Sequence, residues 1–474
     1  MMLTALPYRD DSADLFEAIA DEPWSVFLDS GRPRSTAGRI DILAARPSVT
    51  LVTRGDMTDI RRYDGARPHA RLSPIDPFDL LRAALAADGE ATGLPFAGGA
   101  IGYFGYDLGR RIERLPQLAR AAGAPPDMAV GIYDWAVVVD HDQRASWLVG
   151  AGRDPRTAAG WDARVALFER AAVGMAMPTR RPFHIGTATC NFTRDGYRQA
   201  FARVQRYIAA GDCYQVNLAQ GFAAPASGDA WLGYQTLRRL NPAPYSAYLN
   251  APDARVLSSS PERFLEVRRG RVETKPIKGT RPRAAAPEAD SALARELRDS
   301  LKDRAENLMI VDLLRNDLGK VCEPGSVAVP RLFEVESFAT VHHLVSTVTG
   351  RLPATTDAIA LLRAAFPGGS ITGAPKLRAM QIIEELEPDR RGVYCGAIGW
   401  LGFNGDMDSN IAIRTLTLTR DTLHFSAGGG LVADSQVDAE YQECLDKAAA
   451  LLRLVRECGG ELDASLTEER CSGS

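Results

Sequence analysis

The chain of 474 residues has few cysteines, and they form no disulfide or metal-binding pattern. There are seven, an odd number, and no two of them form a Cys-x-x-Cys pair. This usage is typical of reduced thiols in a cytosolic protein and argues against a disulfide framework or a zinc ribbon. The six histidines include no His-Glu-x-x-His motif, so a bound metal is expected to have oxygen ligands.

Long apolar runs and a strong net charge are also absent. No run of about eighteen apolar residues occurs, so no membrane span is expected. The N-terminus turns acidic too early for a signal peptide, so a cytoplasmic location is expected. The net charge of −4 argues against a protein that binds nucleic acid through bulk attraction to phosphates. A hydrophobic content of 45% and a charged content of 24% are typical of a globular chain with a large core.

What is present is an alternation of strand-like and helix-like segments. Runs rich in β-branched residues predict strands, and capped amphipathic segments predict helices, including one long helix over 289–321 and a last one over 437–458. The segment GMAMPTRRPF at 174–183 is the best linker candidate. We therefore predict an N-terminal region over 1–182, a catalytic domain over 183–460 and a polar tail over 461–474. The glycine-rich segments 98–107 and 395–406 resemble each other, which two similar antiparallel hairpins or chance would explain.

The segment ETKPIKGTRPR places Lys278 after a predicted strand and directly before Gly279. Most lysines are solvated surface charges, and the glycine–lysine order of a phosphate-binding Walker loop is absent. A nucleophilic lysine must be neutral, which requires that burial or nearby positive charge lower its pKa. Glu262 ends an apolar strand and is either an exposed carboxylate or, if buried, a general acid with a raised pKa.

Two predicted helices carry acidic pairs three residues apart. Asp303 and Glu306 share one helix face, and Glu440 and Glu443 share another. Together they could hold a hard cation such as Mg2+, which prefers a few carboxylates with water and substrate oxygens. Spacing alone favours ordinary surface ion pairing, because Lys447 follows Glu443 by four residues.

The second half of the chain also contains segments suited to anions. The glycine-rich stretches 366–376 and 426–435 allow backbone amides to approach an anion without interference from a Cβ atom. Arg414 could pair with a carboxylate in a fork, or be a simple edge cation. Together these groups indicate a small anionic substrate.

Seven ordered motifs then identify a family resemblance. They are PIKGTRPR, DRAENLMIVDLLRNDLG, HHLVSTVTG, GGSITGAPKLRAM, GVYCGAIGW, IAIRT and AGGGLVADSQVDAEYQE. In this order they resemble the chorismate-utilising enzymes, which include anthranilate, aminodeoxychorismate, isochorismate and salicylate synthases. The resemblance covers nearly the whole chain. It implies an α+β sandwich of two subdomains, with large, mainly antiparallel sheets facing each other and helices outside.

Two positions distinguish the branches of this family. Lys278 stands where anthranilate synthases typically have alanine. Gln215 stands where isochorismate and salicylate synthases have a water-activating lysine. This combination resembles the branch that aminates chorismate at C4 on the route to 4-aminobenzoate and folate.

The resemblance also implies a mechanism and a set of site residues. Mg2+ would be held by Glu306 and Glu443, with Glu440 supporting them from the same helix. Lys278 would add to C2 of chorismate while Glu262 protonates the departing C4 hydroxyl, and ammonia would then attack C4 to give 4-amino-4-deoxychorismate. Substrate-pocket positions of the family match Gly279, Thr280, His343, Ser370, Tyr394, Arg414, Gly428, Gly429 and Gly430.

Partners follow from the same resemblance. Ammonia is expected from a separate glutamine amidotransferase subunit, because no glutaminase segment with a nucleophilic cysteine is visible, and no lyase segment is visible either. A tryptophan site is implied at Ser30, Pro244, Tyr245 and Ser246. Whether tryptophan binds or regulates is left open.

Two other functions stay under consideration. One is an anthranilate synthase with a lysine replacement, which would release an aromatic product and pyruvate. The other is a catalytically inactive sensor that uses the tryptophan-like pocket. The presence of every expected carboxylate together with Lys278 favours the aminating enzyme over the sensor.

Overall fold

The computed structural model describes residues 1–35, 37–64, 68–86, 89, 93–121, 123–174, 179–338 and 341–463. Its strands up to residue 190 are β1 (Met2–Leu6), β2 (Ser25–Asp29), β3 (Ile40–Ala44), β4 (Val49–Arg54), β5 (Met57–Arg62), β6 (His69–Ser73), β7 (Gly99–Phe104), β8 (Met128–Tyr133), β9 (Trp135–Asp140), β10 (Ala145–Gly150), β11 (His184–Ile185) and β12 (Thr189–Cys190). The later strands are β13 (Gln215–Ser227), β14 (Tyr245–Ala251), β15 (Ala254–Ser260), β16 (Arg263–Arg268), β17 (Arg271–Thr274), β18 (Ile277–Pro282), β19 (Ala328–Ser337), β20 (Val341–Arg351), β21 (Gly373–Ala374), β22 (Ala397–Gly402), β23 (Met407–Ile411), β24 (Thr415–Thr419) and β25 (Thr422–Leu431).

Helices separate these strands. They are α1 (Ala13–Phe16), α2 (Pro77–Leu85), α3 (Pro155–Ala159), α4 (Trp161–Ala172), α5 (Arg194–Ala209), α6 (Ala230–Leu240), α7 (Pro287–Asp299), α8 (Leu301–Gly319), α9 (Ala358–Ala365), α10 (Lys376–Leu386) and α11 (Val437–Glu457). Short 3-10 turns cover Tyr106–Arg111 and Gly369–Ile371. Among the described residues, no helix is both long enough and apolar enough to cross a membrane.

Two large antiparallel sheets form the framework. In the described part of the chain the first sheet has 13 strands, in the order β1-β10-β9-β3-β2-β14-β15-β24-β25-β13-β11, with β12 and β21 beside β13. The second has 12 strands, in the order β18-β20-β17-β16-β23-β22-β7-β8-β4-β5-β6, with β19 beside β20. The expected fold of large, mainly antiparallel sheets is confirmed.

The apolar core lies in layers on both sides of each sheet. One buried cluster joins Val26 and Ile42 of the first sheet to Ile101 and Tyr103 of the second, so the sheets face each other. Helices α6 and α11 pack on the outer face of the first sheet, and α2, α8 and α9 on that of the second. Each sheet therefore buries both faces, which explains the continuous apolar runs of strands such as β8 and β9.

Both sheets combine early and late strands. In the first sheet β2 pairs with β14, and in the second β7 pairs with β22, with Gly99 opposite Gly402. The two segments that resemble each other in sequence are therefore adjacent antiparallel strands. The domain boundary near residue 182 stays a prediction. Residues 175–178 of the proposed linker and 464–474 of the proposed tail lie outside the described residues.

The long helix expected over 289–321 is two helices, α7 and α8. Ser300 stands between them with extended backbone angles, and its side chain accepts a hydrogen bond from the amide of Asp303. Serine at this position competes with helix continuation because its hydroxyl satisfies a free amide at a helix start. The break sets the direction of α8, which carries Glu306.

Candidate active site

Lys278 lies on β18, at the edge of the second sheet, where the pairing with β20 is irregular between Ile277 and Thr280. Gly279 has a φ of +82°, and a Cβ atom there would lie 2.8 Å from the Cγ atom of Asp303. Glycine permits both the left-handed backbone and the close approach of α8. The Lys278 Nζ atom is turned inward and donates a hydrogen bond to the carbonyl of Ser370 at 3.3 Å. This explains why the sequence sets a lysine directly against a glycine.

Glu262 lies in the link between β15 and β16 and is only 6% exposed. Its carboxyl group accepts hydrogen bonds from the Ser370 hydroxyl and the Ile277 amide. Burial raises the pKa of Glu262 above its ordinary value, and these hydrogen bonds and Lys278 offset only part of that effect. A carboxyl group with a raised pKa can hold a proton for donation.

Lys278 is surrounded by charges of both signs. Burial lowers its pKa, the carboxylates of Glu306, Glu262 and Glu443 act in the opposite direction, and Lys447 adds to the lowering. The net direction is downward, toward a neutral amine. The proposed nucleophile and proton donor therefore meet at Ser370, which contacts both.

The acidic residues of two helices face this amine. Glu306 comes from α8, and burial raises its pKa, with a smaller contribution in the same direction from Glu443. Burial also raises the pKa of Glu440, whose carboxyl group accepts a hydrogen bond from the Ser435 hydroxyl at 2.7 Å. Asp303 differs from them because it pairs with Arg281 at 3.2 Å.

Glu443 on α11 behaves differently because Lys447 lies beside it. Burial acts to raise the pKa of Glu443, but the Lys447 ammonium, 2.6 Å away, together with Lys302 and Lys278, lowers it, and the net shift is downward. Lys447 also donates to the carbonyl of Gly428 at 3.1 Å. The ion pair that the i,i+4 spacing predicted is present and its side chains are about half exposed, and both residues also shift the pKa of Lys278. Lys447 is thus a site residue that sequence reasoning missed.

Glu306 and Glu443 fit a hard cation whose remaining ligands are water and substrate oxygens. Within the residues described, no three His, Cys, Asp or Glu side chains stand close enough together to hold an ion by themselves. Glu306 and Glu443 offer two carboxylates whose charges repel each other, and a cation would relieve that repulsion. Mg2+ is commonly held by one or two carboxylates, with water and substrate oxygens completing its shell.

The three glycines Gly428, Gly429 and Gly430 lie within β25, paired with β13. A Cβ atom on Gly429 would lie 3.1 Å from Glu440 Oε2 and 3.5 Å from Glu443 Oε1. A Cβ atom on Gly430 would lie 2.6 Å from Nε2 of Gln215. The glycines therefore make room for side chains on both faces of the strand.

Gln215 is fully buried, and in the described structure neither its Oε1 nor its Nε2 atom has a hydrogen-bond partner. A buried amide without a protein partner is rare and is suited to a polar ligand. The residue that distinguishes the family branches is thus an unsatisfied amide beside the glycine strand.

His343 and Arg414 supply a neutral and a charged polar group. His343 on β20 lies opposite Thr280, and its Nδ1 atom shares a hydrogen bond with the Thr280 hydroxyl at 2.9 Å. Burial, with the nearby charge of Arg414, lowers the pKa of His343 to about 4, so the ring is neutral at pH 7. Burial also lowers the pKa of Arg414, and no carboxylate in the described ranges counters this effect. A half-buried arginine without an acidic partner is suited to an anionic ligand.

Tyr394 is buried at one wall of a cavity of about 400 Å3. The guanidinium of Arg391 lies 5.9 Å from its ring centre. The structure therefore places Tyr394 beside an arginine that sequence reasoning did not single out.

The residues of the expected tryptophan site lie around another cavity between the sheets. Pro244, Tyr245 and Ser246 line this space of about 600 Å3. Ser30 follows β2 next to them, and its buried hydroxyl has no partner among the described residues. Asp29 is held by Arg238 at 2.8 Å and by the Tyr234 hydroxyl at 2.8 Å, so it anchors the end of β2. Tryptophan binding stays a prediction.

Comparisons with known proteins agree with this geometry. The chorismate binding enzyme family matches residues 27–453. The chain is 50% identical over 457 residues to aminodeoxychorismate synthase component 1 of Klebsiella aerogenes, covering 95% of this chain and 98% of that protein. It is 48% identical over 454 residues to aminodeoxychorismate synthase component 1 of Escherichia coli strain K12, covering 94% of this chain and 97% of that protein.

A solved structure is similar over most of its length. Anthranilate synthase component I from Streptococcus pneumoniae TIGR4 has a TM-score of 0.77 and 33% sequence identity, covering 87% of this chain and 91% of that chain. The match over residues 27–453 covers most of both sheets and the residues gathered around Lys278. The chain therefore belongs to the chorismate-binding enzyme family.

Proposed function

We propose that this chain is the chorismate-aminating component of an aminodeoxychorismate synthase. Two relatives carry that name, and about half of their residues are identical to those of this chain over nearly the full length. The observation that carries the proposal is the inward-facing amine of Lys278, which contacts the same residue, Ser370, as the buried carboxyl of Glu262. A nucleophile and an acid at one position are what the replacement of a hydroxyl by an amine requires.

In the proposed reaction Lys278 acts first. Its neutral Nζ atom forms a bond to C2 of chorismate, the two conjugated ring double bonds shift from C1=C2 and C5=C6 to C1=C6 and C4=C5, and the C4–oxygen bond breaks. Glu262 gives its proton to the departing oxygen, which leaves as water. Because burial lowers the pKa of Lys278 and raises that of Glu262, both groups are shifted toward the protonation states that this step needs.

The second step returns the lysine. Ammonia forms a bond to C4, both double bonds shift back to C1=C2 and C5=C6, and the bond between C2 and Nζ breaks. The extra proton on the new amine is lost to solvent or to the Glu262 carboxylate, which restores the acid. The sum is chorismate plus ammonia giving 4-amino-4-deoxychorismate plus water.

Glu306 and Glu443 would hold Mg2+, whose charge supports binding of the ring carboxylate. Glu440 and Lys447 contribute by orienting Glu443, the first from the same helix and the second through the 2.6 Å ion pair. Arg414, which lacks an acidic partner among the described residues, is the proposed contact for a further anionic group of chorismate. The neutral ring of His343 and the amide of Gln215 supply polar contacts without competing charge.

The proposed ammonia source is a separate glutamine amidotransferase subunit. The relatives' name, component 1, indicates a second component in those enzymes. With a saturating ammonium salt at about pH 8, where part of the ammonium is free ammonia, the chain alone should form product.

The decisive experiment mixes the purified chain with chorismate, Mg2+ and ammonium and identifies the products by mass spectrometry. One arm also contains an aminodeoxychorismate lyase. We expect 4-amino-4-deoxychorismate in both arms and 4-aminobenzoate only with the lyase. Anthranilate formed without the lyase would instead identify an anthranilate synthase. Absence of any turnover, with tight tryptophan binding, would identify a sensor.

A further inference from the structure

A buried ion pair outside the reacting groups joins three parts of the site. Arg391 forms a fork with Glu387, with Nε to Oε2 at 2.9 Å and Nη2 to Oε1 at 2.6 Å. Arg391 is 7% exposed and Glu387 is 6% exposed. Both lie just beyond α10, in a segment that none of the proposed catalytic steps uses.

The remaining hydrogen bonds of this pair all go to the main chain. Arg391 donates through Nη1 to the carbonyl of Ile371 and through Nη2 to that of Asn217, each at 2.8 Å. Glu387 Oε1 accepts from the amide of Ala219 at 2.9 Å. The pair therefore fastens the Gly369–Ile371 turn to β13.

The Gly369–Ile371 turn and β13, which the pair connects, both lie at the proposed active site. The turn contains Ser370, whose carbonyl accepts from Lys278 and whose hydroxyl donates to Glu262. Asn217 and Ala219 on β13 lie opposite Gly430 and Gly428 on β25. The amide of Asn217 also donates to the carbonyl of Thr372, at the end of the turn.

The guanidinium of Arg391 is enclosed by two aromatic rings. It lies 4.7 Å from the ring centre of Tyr106 and 5.9 Å from that of Tyr394. Tyr394 matches a pocket position, so the same cation that fastens the turn also supports one wall. A lysine could not reproduce this arrangement, because it lacks the planar fork and the additional donor directions.

A buried ion pair is a poor way to increase stability. Removing two charges from water costs several kcal/mol per ion, and apolar replacements of similar volume often leave stability unchanged or higher. What such a pair supplies is fixed geometry, since its hydrogen bonds hold only at defined distances and angles. The main-chain hydrogen bonds of this pair go to the Ser370 turn and to β13, which indicates that the pair fixes these two segments relative to each other.

We propose that Glu387 and Arg391 are positioning residues that hold the Ser370 turn against β13 and thereby set the placement of Lys278 and Glu262. This inference rests on the proposed function for the identity of the reacting groups. The fastening of the turn itself does not depend on which product is formed.

The test compares Arg391→Lys and Glu387→Gln with a matched pair elsewhere. Arg110 and Glu384 also form a largely buried ion pair, in which Glu384 accepts from the amides of Leu118 and Ala119, but it has no hydrogen bond to the turn. Arg110→Lys is therefore the control. A double variant, Glu387→Gln with Arg391→Met, keeps an acceptor for Ala219 and removes both charges, so that folding is retained if either single variant is too unstable.

The first measurement is amide hydrogen exchange followed by mass spectrometry, which needs no activity. We expect exchange in peptides covering 214–219 and 369–374 to become at least about tenfold faster in the Glu387 and Arg391 variants and to be unchanged in Arg110→Lys. Unchanged exchange in those peptides would overturn the inference, even if the proposed function is wrong.

The second measurement is chorismate consumption, whichever product forms. We expect the Glu387 and Arg391 variants to lower kcat by about 10- to 100-fold with little change in KM, because misplacement of reacting groups acts on the chemical step. In a Ser370→Ala background the effect of Arg391→Lys should shrink to less than about threefold, because both act through the same turn. Full additivity with Ser370→Ala, or loss of kcat equal to that in Arg110→Lys, would show that the pair is only structural.

Discussion

At the scale of single residues, Lys278 and Glu262 take their properties from what surrounds them. Lys278 is half-buried among Glu306, Glu443 and Lys447, and Glu262 is 6% exposed under the Ser370 hydroxyl. The sequence predicted both residues as a nucleophile and an acid, but the direction of their pKa shifts depends on burial, which only the fold determines.

The role of the Lys278 amine can be tested by removing it. We expect Lys278→Ala to lower kcat at least about 100-fold, or roughly 3 kcal/mol of barrier, since no other amine can form the bond to C2. Lys275→Ala is the matched control, because Lys275 is three positions away on the same segment and pairs with Glu336 at 2.6 Å. Steady-state assays of chorismate consumption with ammonium measure both. Equal rates for Lys278→Ala and the wild type would remove the covalent step.

His343 links protonation to stability. Its pKa is lowered from 6.5 to about 4 in the folded protein, so folding favours the neutral ring. This stabilisation is fully present above pH 6.5 and is lost as the pH falls toward 4. Between pH 7 and pH 5 we expect the wild type to lose about 2 kcal/mol more unfolding free energy than His343→Gln.

Urea unfolding at the two pH values measures this difference. His184→Gln is the control, because His184 is exposed on the short strand β11. Equal losses in the wild type and in His343→Gln would show that burial of His343 does not control the pH dependence.

At the scale of elements, the break between α7 and α8 shows where pattern reasoning fell short. The apolar spacing of residues 289–321 is compatible with one helix, and the N-cap signal of Ser300 lies inside it. A serine within a helical pattern is equally compatible with a surface position of one continuous helix. The packing of α8 against β18 and β20 therefore determines that the helix is broken at Ser300. By contrast Thr193, whose side chain accepts a hydrogen bond from the Gly196 amide, stands directly before the start of α5 at Arg194, where no helical segment precedes it.

The Ser300 cap can be tested directly. Ser300→Ala removes the acceptor for the Asp303 amide and should lower the unfolding free energy by about 1 kcal/mol. Ser300→Asp keeps an acceptor and should restore most of it. Denaturant unfolding of the two variants and the wild type gives the comparison. A stability of Ser300→Ala equal to that of the wild type would mean that α7 and α8 are separated by packing alone.

The glycine strand β25 offers a second element-level test. A Cβ atom on Gly429 would meet Glu440 Oε2 at 3.1 Å and Glu443 Oε1 at 3.5 Å. We expect Gly429→Ala to displace these carboxylates and to raise the Mg2+ concentration for half-maximal activity about tenfold. Gly319→Ala, where no atom lies within 4 Å of the new Cβ, is the control. An unchanged Mg2+ requirement would place the cation away from Glu443.

At the scale of the whole molecule, the family resemblance predicted the two facing sheets, whereas local pattern alone could not. Strand register depends on partners far apart in sequence, such as β2 with β14 and β7 with β22. The same limit applies to the site: Lys447 and Arg391 carry no motif of their own, and their roles follow from which groups the fold brings within reach. Lys278 and Glu306 could be predicted because they lie inside ordered motifs.

The interleaved sheets predict how the chain responds to division. A fragment covering 183–474 would lack β2, β7 and β8 and would expose the edges of β14 and β22. We expect it to show no cooperative unfolding by near-ultraviolet circular dichroism, and co-expression with 1–182 should restore a folded complex. A fragment 183–474 that folds cooperatively alone would support an independent catalytic domain.

The pairing of β7 with β22 also bears on how the protein is made. β7 leaves the ribosome when most of the chain, including β22, has yet to be synthesised. At an elongation rate of about 5–20 residues per second, tens of seconds pass before β22 is synthesised and can pair with the open edge of β7. Nascent chains of this protein therefore offer one unpaired strand edge to other molecules until β22 is made, and conditions that slow elongation should increase the demand for chaperones.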